Sequence, residues 1–495
     1  MSRQSTLSSL AGLSIATALS AVAADDNPEK KPNFLFILAD DTTYEVIAAA
    51  GMTKVKTPNI DRLYRGGVVF THTYNMGSWS PAVCIASRTM LNSGMTINRD
   101  RRGAKQHPLW PRLMGDDGYK TYFTGKWHVS GFDRKQKTIF DVVKHPRPGM
   151  PRQTPSGYHR PKDEEDYKNG WKPWDKSKGG FWQGGEHWSI IAADDAIGFI
   201  DDAKKTDKPF FIYLGFNSAH DPRQVPKEYV DMYPIEKMET PKNFIALYPD
   251  AAKIGCDIRD EFLLPSPRTE YSVKVNRQEY YACVTFMDHQ IGRVLDALEK
   301  SGQADNTYII FTADNGLAVG HHGLAGKQNL YDHSVRLPFI IKGPGLKPRK
   351  IDTPIYMQDI MPTVLRLAGA KVPEWVEFKS LLPLLKDSNA THYDHIYGQY
   401  LNYQRMVTKN GWKLIVYPYA KKRLLFNLDK DPDEMVNLAH NPEYSAKLEE
   451  LEKLLKTAQS EMGDTLDINA PPPISKRHPR QKNRRRKKPE PAATE

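Results

Sequence analysis

Asn33-Phe34-Leu35-Phe36-Ile37-Leu38-Ala39, running into Asp40-Asp41, is the stretch that decides the fold. An almost unbroken apolar run of this length reads as a strand buried on both faces, as in a parallel sheet; a half-exposed antiparallel strand would alternate. Ligands of open α/β sheets bind beyond the carboxyl ends of the strands, so Asp40 and Asp41 are candidates for a site. The pattern then repeats. Lys120-Thr121-Tyr122-Phe123 leads to Lys126 and His128, Pro209-Phe210-Phe211-Ile212-Tyr213-Leu214 leads to His220, and Thr307-Tyr308-Ile309-Ile310-Phe311-Thr312 leads to Asp314-Asn315. Strand after strand delivers polar groups towards one rim.

Between these strands the period changes from continuous to helical. Ile190, Ala193, Ile197 and Ile200 recur at helical spacing, and 278–300 carries a clearer stripe. Alternating strands and helices predict an α/β domain with a large, doubly wound, mixed or parallel sheet. Two stretches interrupt the alternation, about 133–187, dense in Pro, Gly, Trp, Tyr and Lys, and about 223–275. Irregular segments this long inside a domain are usually functional or disordered. From about Asp387 the texture changes to short strands around Lys409-Asn410-Gly411, another at 424–428, and an amphipathic helix over 444–462, which predicts a smaller C-terminal α+β subdomain.

The chain's 495 residues accommodate both units, and 39% hydrophobic with 26% charged residues is ordinary for a globular protein. Arg3, the apolar stretch Leu7 to Val22 and Ala21-Val22-Ala23-Ala24 before Asp25-Asp26 read as a secretory signal, so export to the periplasm or medium is expected. After it, no apolar run approaches the ~20 residues of a membrane span. The expected organisation is a signal peptide over 1–24, a catalytic domain over 25–386, the subdomain over 387–470 and a disordered basic tail over 471–495. Nine of the cations behind the net charge of +11 lie between Lys476 and Lys488, leaving about +2 for the rest. The basicity therefore belongs to a tail, and nucleic acid is not the expected partner. Three cysteines make no disulfide framework; Cys256 and Cys283 read as a pair or as two buried thiols.

The polar clusters share one chemistry. Asp40, Asp41, Asp314 and the carbonyl of Asn315 are hard oxygen donors of the kind Ca²⁺ or Mg²⁺ prefers, and no zinc or copper spacing is offered. Cys84 in Cys84-Ile85-Ala86-Ser87-Arg88 is a candidate nucleophile, with Arg88 one helical turn beyond it. Lys126 and Lys327 are placed to neutralise oxygens on which charge develops. This inventory suits hydrolysis of a small, highly charged ester.

The order and wording of the clusters resemble the type I, formylglycine-dependent sulfatases of the alkaline-phosphatase-like superfamily. The specific phrases are Gly125-Lys126-Trp127-His128, Gly320-His321-His322-Gly323-Leu324 through Lys327, and Phe426-Asn427-Leu428-Asp429-Lys430-Asp431-Pro432-Asp433-Glu434. The resemblance implies that a formylglycine-generating maturation enzyme oxidises Cys84 to Cα-formylglycine. One hydroxyl of the hydrated aldehyde then attacks sulfur, and the second allows sulfate to be expelled. It implies Ca²⁺ as cofactor, with Asp40, Asp41, Asp314, Asn315 and residue 84 around it. His128 would take the formylglycine proton, and His220 and Lys327 would flank the bridging oxygen. Lys126, His220, Lys327 and His322 would contact substrate. Ala86 stands where the commoner motif has Pro, which leaves the maturation system open.

The expected substrate is a sulfated carbohydrate or polysaccharide. Trp171, Trp174, Trp182, Trp188 and Tyr158 are expected either to stack on sugar rings or to pack their own loop. The alternatives are a phosphonate or phosphodiester hydrolase of the same superfamily, and a silent carbohydrate-binding protein with unmodified Cys84.

Overall fold

The computed structural model describes residues 30–100, 105–132, 135–152, 157 and 159–469. The expected signal peptide, the basic tail and Tyr158 lie outside them. Strand Asn33–Ala39 is buried along its whole length and lies at the centre of an eight-stranded sheet. The spatial order is Arg349–Ile351, Val68–Phe70, Phe339–Lys342, Thr307–Ala313, Asn33–Ala39, Phe210–Gly215, Lys120–Lys126 and Val142–Arg147. The four strands anticipated from their apolar runs are contiguous in this order and mutually parallel. Only Phe339–Lys342 runs antiparallel to its neighbours, so the sheet is mixed.

Helices Trp188–Ala203 and Glu270–Lys300 pack against each other. The longer one begins eight residues before the expected start at residue 278. Its start is set by Thr269, whose side chain accepts the Ser272 N–H.

A second sheet of five strands contains Ile396–Tyr400, Gln404–Lys409, Trp412–Tyr417 and Lys422–Asn427, backed by helix Ser445–Glu461. Gly411 closes its tightest hairpin with a φ of 74°, the left-handed backbone that glycine adopts freely. Its fifth strand, Gly77–Ser78, comes from far upstream and pairs in parallel with Gln399–Tyr400. A buried charge cluster ties this sheet to the short helix Asp332–Val335. Lys413 donates to Asp332 Oδ1 and Glu434 Oε1, both at 2.8 Å, and Glu434 Oε2 accepts the Asp332 N–H at 2.7 Å.

Of the two readings of the aromatic loop, its own packing prevails. Trp171, Trp182 and Trp188 are at most 5% exposed, and Trp174 packs on a core cluster. Cys256 and Cys283 are separate buried thiols; Cys256 donates to the Gln328 carbonyl.

His187, just before helix Trp188–Ala203, joins both irregular stretches. Its Nδ1 accepts the Ser189 N–H and its Nε2 donates to the Gln224 carbonyl, an arrangement only the neutral ring satisfies. Burial pushes its pKa down to about 4 from 6.5, against the opposing Gln224 bond. The unfolded chain therefore binds the extra proton between these values, and the stabilisation present above pH 6.5 is lost as pH falls towards 4. At about 1.4 kcal/mol per unit, this site alone removes about 3 kcal/mol. The urea midpoint is expected to drop between pH 7 and pH 5. His187→Gln should flatten the dependence in part, because burial also holds His72 at about 4. A midpoint that does not move with pH would refute this account.

Candidate functional site

Four strand ends and one helix start converge. Asp40 and Asp41 follow the central strand, Lys126 ends its own strand, His220 lies beyond Phe210–Gly215, and Asp314-Asn315 follow Thr307–Ala313. Helix Val83–Ser93 enters from extended Ala82, which puts Cys84 in its first turn and Arg88 one turn further on. Asp41 and His128 both hold a φ of 52°. Such left-handed non-glycine backbone persists where the surroundings impose it, and it concentrates at functional sites.

The side chains form paired charges in a dry setting. Arg88 is fully buried; its Nε donates to Asp314 Oδ2 at 2.7 Å and its Nη1 to the Lys126 carbonyl at 2.8 Å. The Lys126 ammonium donates to Asp40 Oδ2, and Lys327 donates to Asp41 Oδ1, which also accepts Asn315 Nδ2 at 2.6 Å. Cys84 Sγ lies 3.3 Å from His128 Nδ1. The ligating atoms of Asp40, Cys84 and Asp314 all lie within 4.8 Å of one another.

Electrostatics divides the two neighbouring acids. Burial and the charge of Asp314 push Asp40 up to about 7 despite Lys126. Burial acts on Asp41 too, but Lys327, His220 and Lys126 overcome it and hold that carboxyl well below its usual range. His220 Nδ1 lies 3.0 Å from Asp221 Oδ1, and its Nε2 faces Asp41 Oδ2 at 3.9 Å. Burial and Lys327 oppose its charge, yet Asp221, Asp41 and Asp40 raise it to about 9, so the imidazolium persists at neutral pH.

Cys84, His128, His220 and Lys327 line one cavity of about 510 Å³. His322 is not brought to it. That ring stacks on Tyr331 at 4.0 Å, meets Asn243 through Nε2 and lines a separate cavity of about 300 Å³. Burial and His321 push it down to about 3, so it is a neutral, packed ring.

Residues 32–370 match the family model described as sulfatase, and residues 320–461 match the C-terminal model of N-sulphoglucosamine sulphohydrolase. A sulfatase of Formosa agariphila is 30% identical over 463 residues, 86% of each chain. The chain belongs to the sulfatase family. An N-acetylglucosamine-6-O-sulfatase of Bacteroides thetaiotaomicron is 25% identical and aligns over 90% of each chain. A solved structure of a protein in complex with its substrate D-glucosamine-2-N,6-O-disulfate superposes with a TM-score of 0.69 at 22% identity, covering 88% of this chain and 99% of that one.

The donor set of this sulfatase fits a hard divalent cation. Asp40 Oδ1 and Asn315 Oδ1 are buried acceptors without a donor, which native structures rarely leave unmet. Other groups on the cavity wall escaped the sequence reading. Arg259 and Asp260 belong to the second irregular stretch, and Arg259 donates to Asp221 at 3.2 Å and to Asp260 at 2.6 Å. Asp221 was visible beside His220, but its orienting contact was not. The length of the insertion was the only signal for Arg259.

Proposed function

We propose that this sulfatase releases sulfate from a sulfated carbohydrate and that its nucleophile is Cα-formylglycine matured from Cys84. The observation that carries the reading is the placement of Cys84 Sγ, buried beside His128 Nδ1 and close to the carboxylates of Asp40 and Asp314. Asp40, Asp41, Asp314 and Asn315, with residue 84, would hold a Ca²⁺ ion, whose chemistry when bound is Lewis-acid stabilisation of anionic oxygens. The formylglycine supplies a hydrated aldehyde with two hydroxyls on one carbon.

The remaining work falls to the chain's own side chains. Lys126 and Lys327 flank the position of the sulfate oxygens and stabilise charge there. His128 takes the proton of the residue-84 hydroxyl as sulfate leaves. His220, kept cationic by Asp221, gives its proton to the bridging oxygen, so the alcohol departs neutral as the S–O bond breaks. Arg88 fixes Asp314 and the Lys126 backbone in register.

The sulfated-sugar substrate is supported by the named activities of the relatives. Export, the division into a catalytic domain over 25–386 and a subdomain over 387–470, and a dedicated maturation enzyme belong to the same reading. The test is the mass of the tryptic peptide 66–88, purified from a host able to mature such enzymes. A mass lowered by conversion of the thiol to an aldehyde is expected, together with faster hydrolysis of a sulfate ester than of a phosphate or phosphonate ester with the same leaving group. Active protein with an unmodified Cys84, or a preference for phosphorus, would overturn it.

A further inference from the structure

Away from the catalytic cavity, the structure assigns a second anion-binding site. We propose that the cleft between residues 51–56 and 232–239, beside helix Glu270–Lys300, holds a sulfated or carboxylated polysaccharide chain. The choice of polymer rests on the function proposed above; the site itself rests on the following geometry.

The cleft encloses about 400 Å³ and is lined by the cations Lys54, Lys56, Lys237 and Arg277 against the single acid Glu239. Lys54 pairs with Glu239 at 2.6 Å, but both side chains are 75% exposed, where water and salt screen the pair. Lys56, Lys237 and Arg277 have no ion-pair partner among the described residues. The catalytic cavity differs, because Lys327 and Arg259 on its wall each face a carboxylate. Glu45 and Glu239 act on Arg277 at longer range, and four cations against one lining acid still leave net positive charge in the cleft, where it attracts polyanions.

Arg277 is fixed rather than floating. Its Nη2 donates to the Tyr281 hydroxyl at 2.5 Å, its guanidinium lies 5.2 Å from the centre of that ring, and its Nε–H is buried without an acceptor. Its Nη1 donates to the Val319 carbonyl at 3.5 Å. Met52, 56% exposed, adds an apolar surface for a sugar ring. Tyr233 and Tyr281 are only 5% and 9% exposed, so they offer no platform for stacking bases, and polysaccharide is favoured over nucleic acid.

The cleft shares its scaffold with the catalytic site. Tyr280, between Arg277 and Tyr281 on the helix, donates to the Asp41 carbonyl at 2.9 Å and accepts the Thr43 N–H at 3.1 Å. A polymer held here keeps its other sulfates at high local concentration near the catalytic cavity.

Hydrogen exchange in full-length Cys84→Ala protein tests the site. Dextran sulfate is expected to protect peptides covering 51–56 and 232–239, dextran is expected not to, and Lys56→Glu/Lys237→Glu should abolish the protection. In the active enzyme the same pair should raise KM for a sulfated polysaccharide about tenfold and leave kcat/KM for p-nitrophenyl sulfate unchanged. Lys56→Ala/Lys237→Ala serves if charge reversal impairs folding. Absence of protection, equal protection by dextran, or stronger protection by duplex DNA would overturn the proposal. Loss of turnover on every sulfated glycan would sink the proposed substrate while leaving the exchange result to decide the cleft.

Discussion

Cys84→Ala is expected to abolish sulfate release while the protein stays folded. The thiol is buried in the first turn of helix Val83–Ser93, against His128 Nδ1 and beside two carboxylates. With the role proposed for it above, its loss removes the nucleophile, which costs about 10⁴-fold or more in turnover. Alanine deletes a single buried heavy atom, so the stability cost is about 1 kcal/mol. Arg88, Lys126 and Lys327 keep their partners, and Asp40, Asp41, Asp314 and Asn315, the proposed Ca²⁺ ligands, are unchanged. Turnover, urea midpoint and calorimetric Ca²⁺ binding together check this. Substantial residual activity would remove Cys84 from the reaction, and a collapsed midpoint would assign it to the core instead.

Lys413→Ala is expected to cost about 3–5 kcal/mol of stability, because it leaves the buried Glu434 without its cation and Asp332 with only Arg336, at 3.6 Å. Asp332 and Glu434 meet at one fully buried ammonium, and burial already pushes Glu434 up to about 7. Lys413 sits on the second sheet and Asp332 on the short helix Asp332–Val335, so the loss loosens the contact between them. The double variant Lys413→Met/Glu434→Gln, which keeps Asp332 paired with Arg336 at 3.6 Å, should recover most of the loss, since it strands neither charge. A single-variant loss below about 1 kcal/mol would show that the cluster is solvated.

The central sheet was legible because its strands are apolar without interruption, and the same runs aimed the polar clusters at one rim. Asp40, Cys84, Lys126 and Asp314 could be grouped from sequence because each lies within a few residues of a strand end or helix start. Arg259 could not, since nothing local in an irregular insertion says which wall it will form. His321 and His322 are adjacent, and period and composition do not reveal that His322 stacks on Tyr331 rather than facing the catalytic cavity. The tryptophans of the first insertion carried two readings, and burial chose between them. A two-residue strand such as Gly77–Ser78 has no periodicity, so its partner is set by tertiary packing alone.

That short strand also imposes a timetable. Gly77–Ser78, a few residues ahead of Cys84, finds its partner only when residues 399–400 have been made. At about 5–20 residues per second, the intervening chain takes about 16–65 s to emerge. For that interval the segment carrying Cys84 lacks one of its final restraints. In the finished fold Cys84 is 2% exposed. The maturation enzyme proposed above would reach residue 84 most readily within that interval, so slowing translation between residues 78 and 399 should raise the modified fraction.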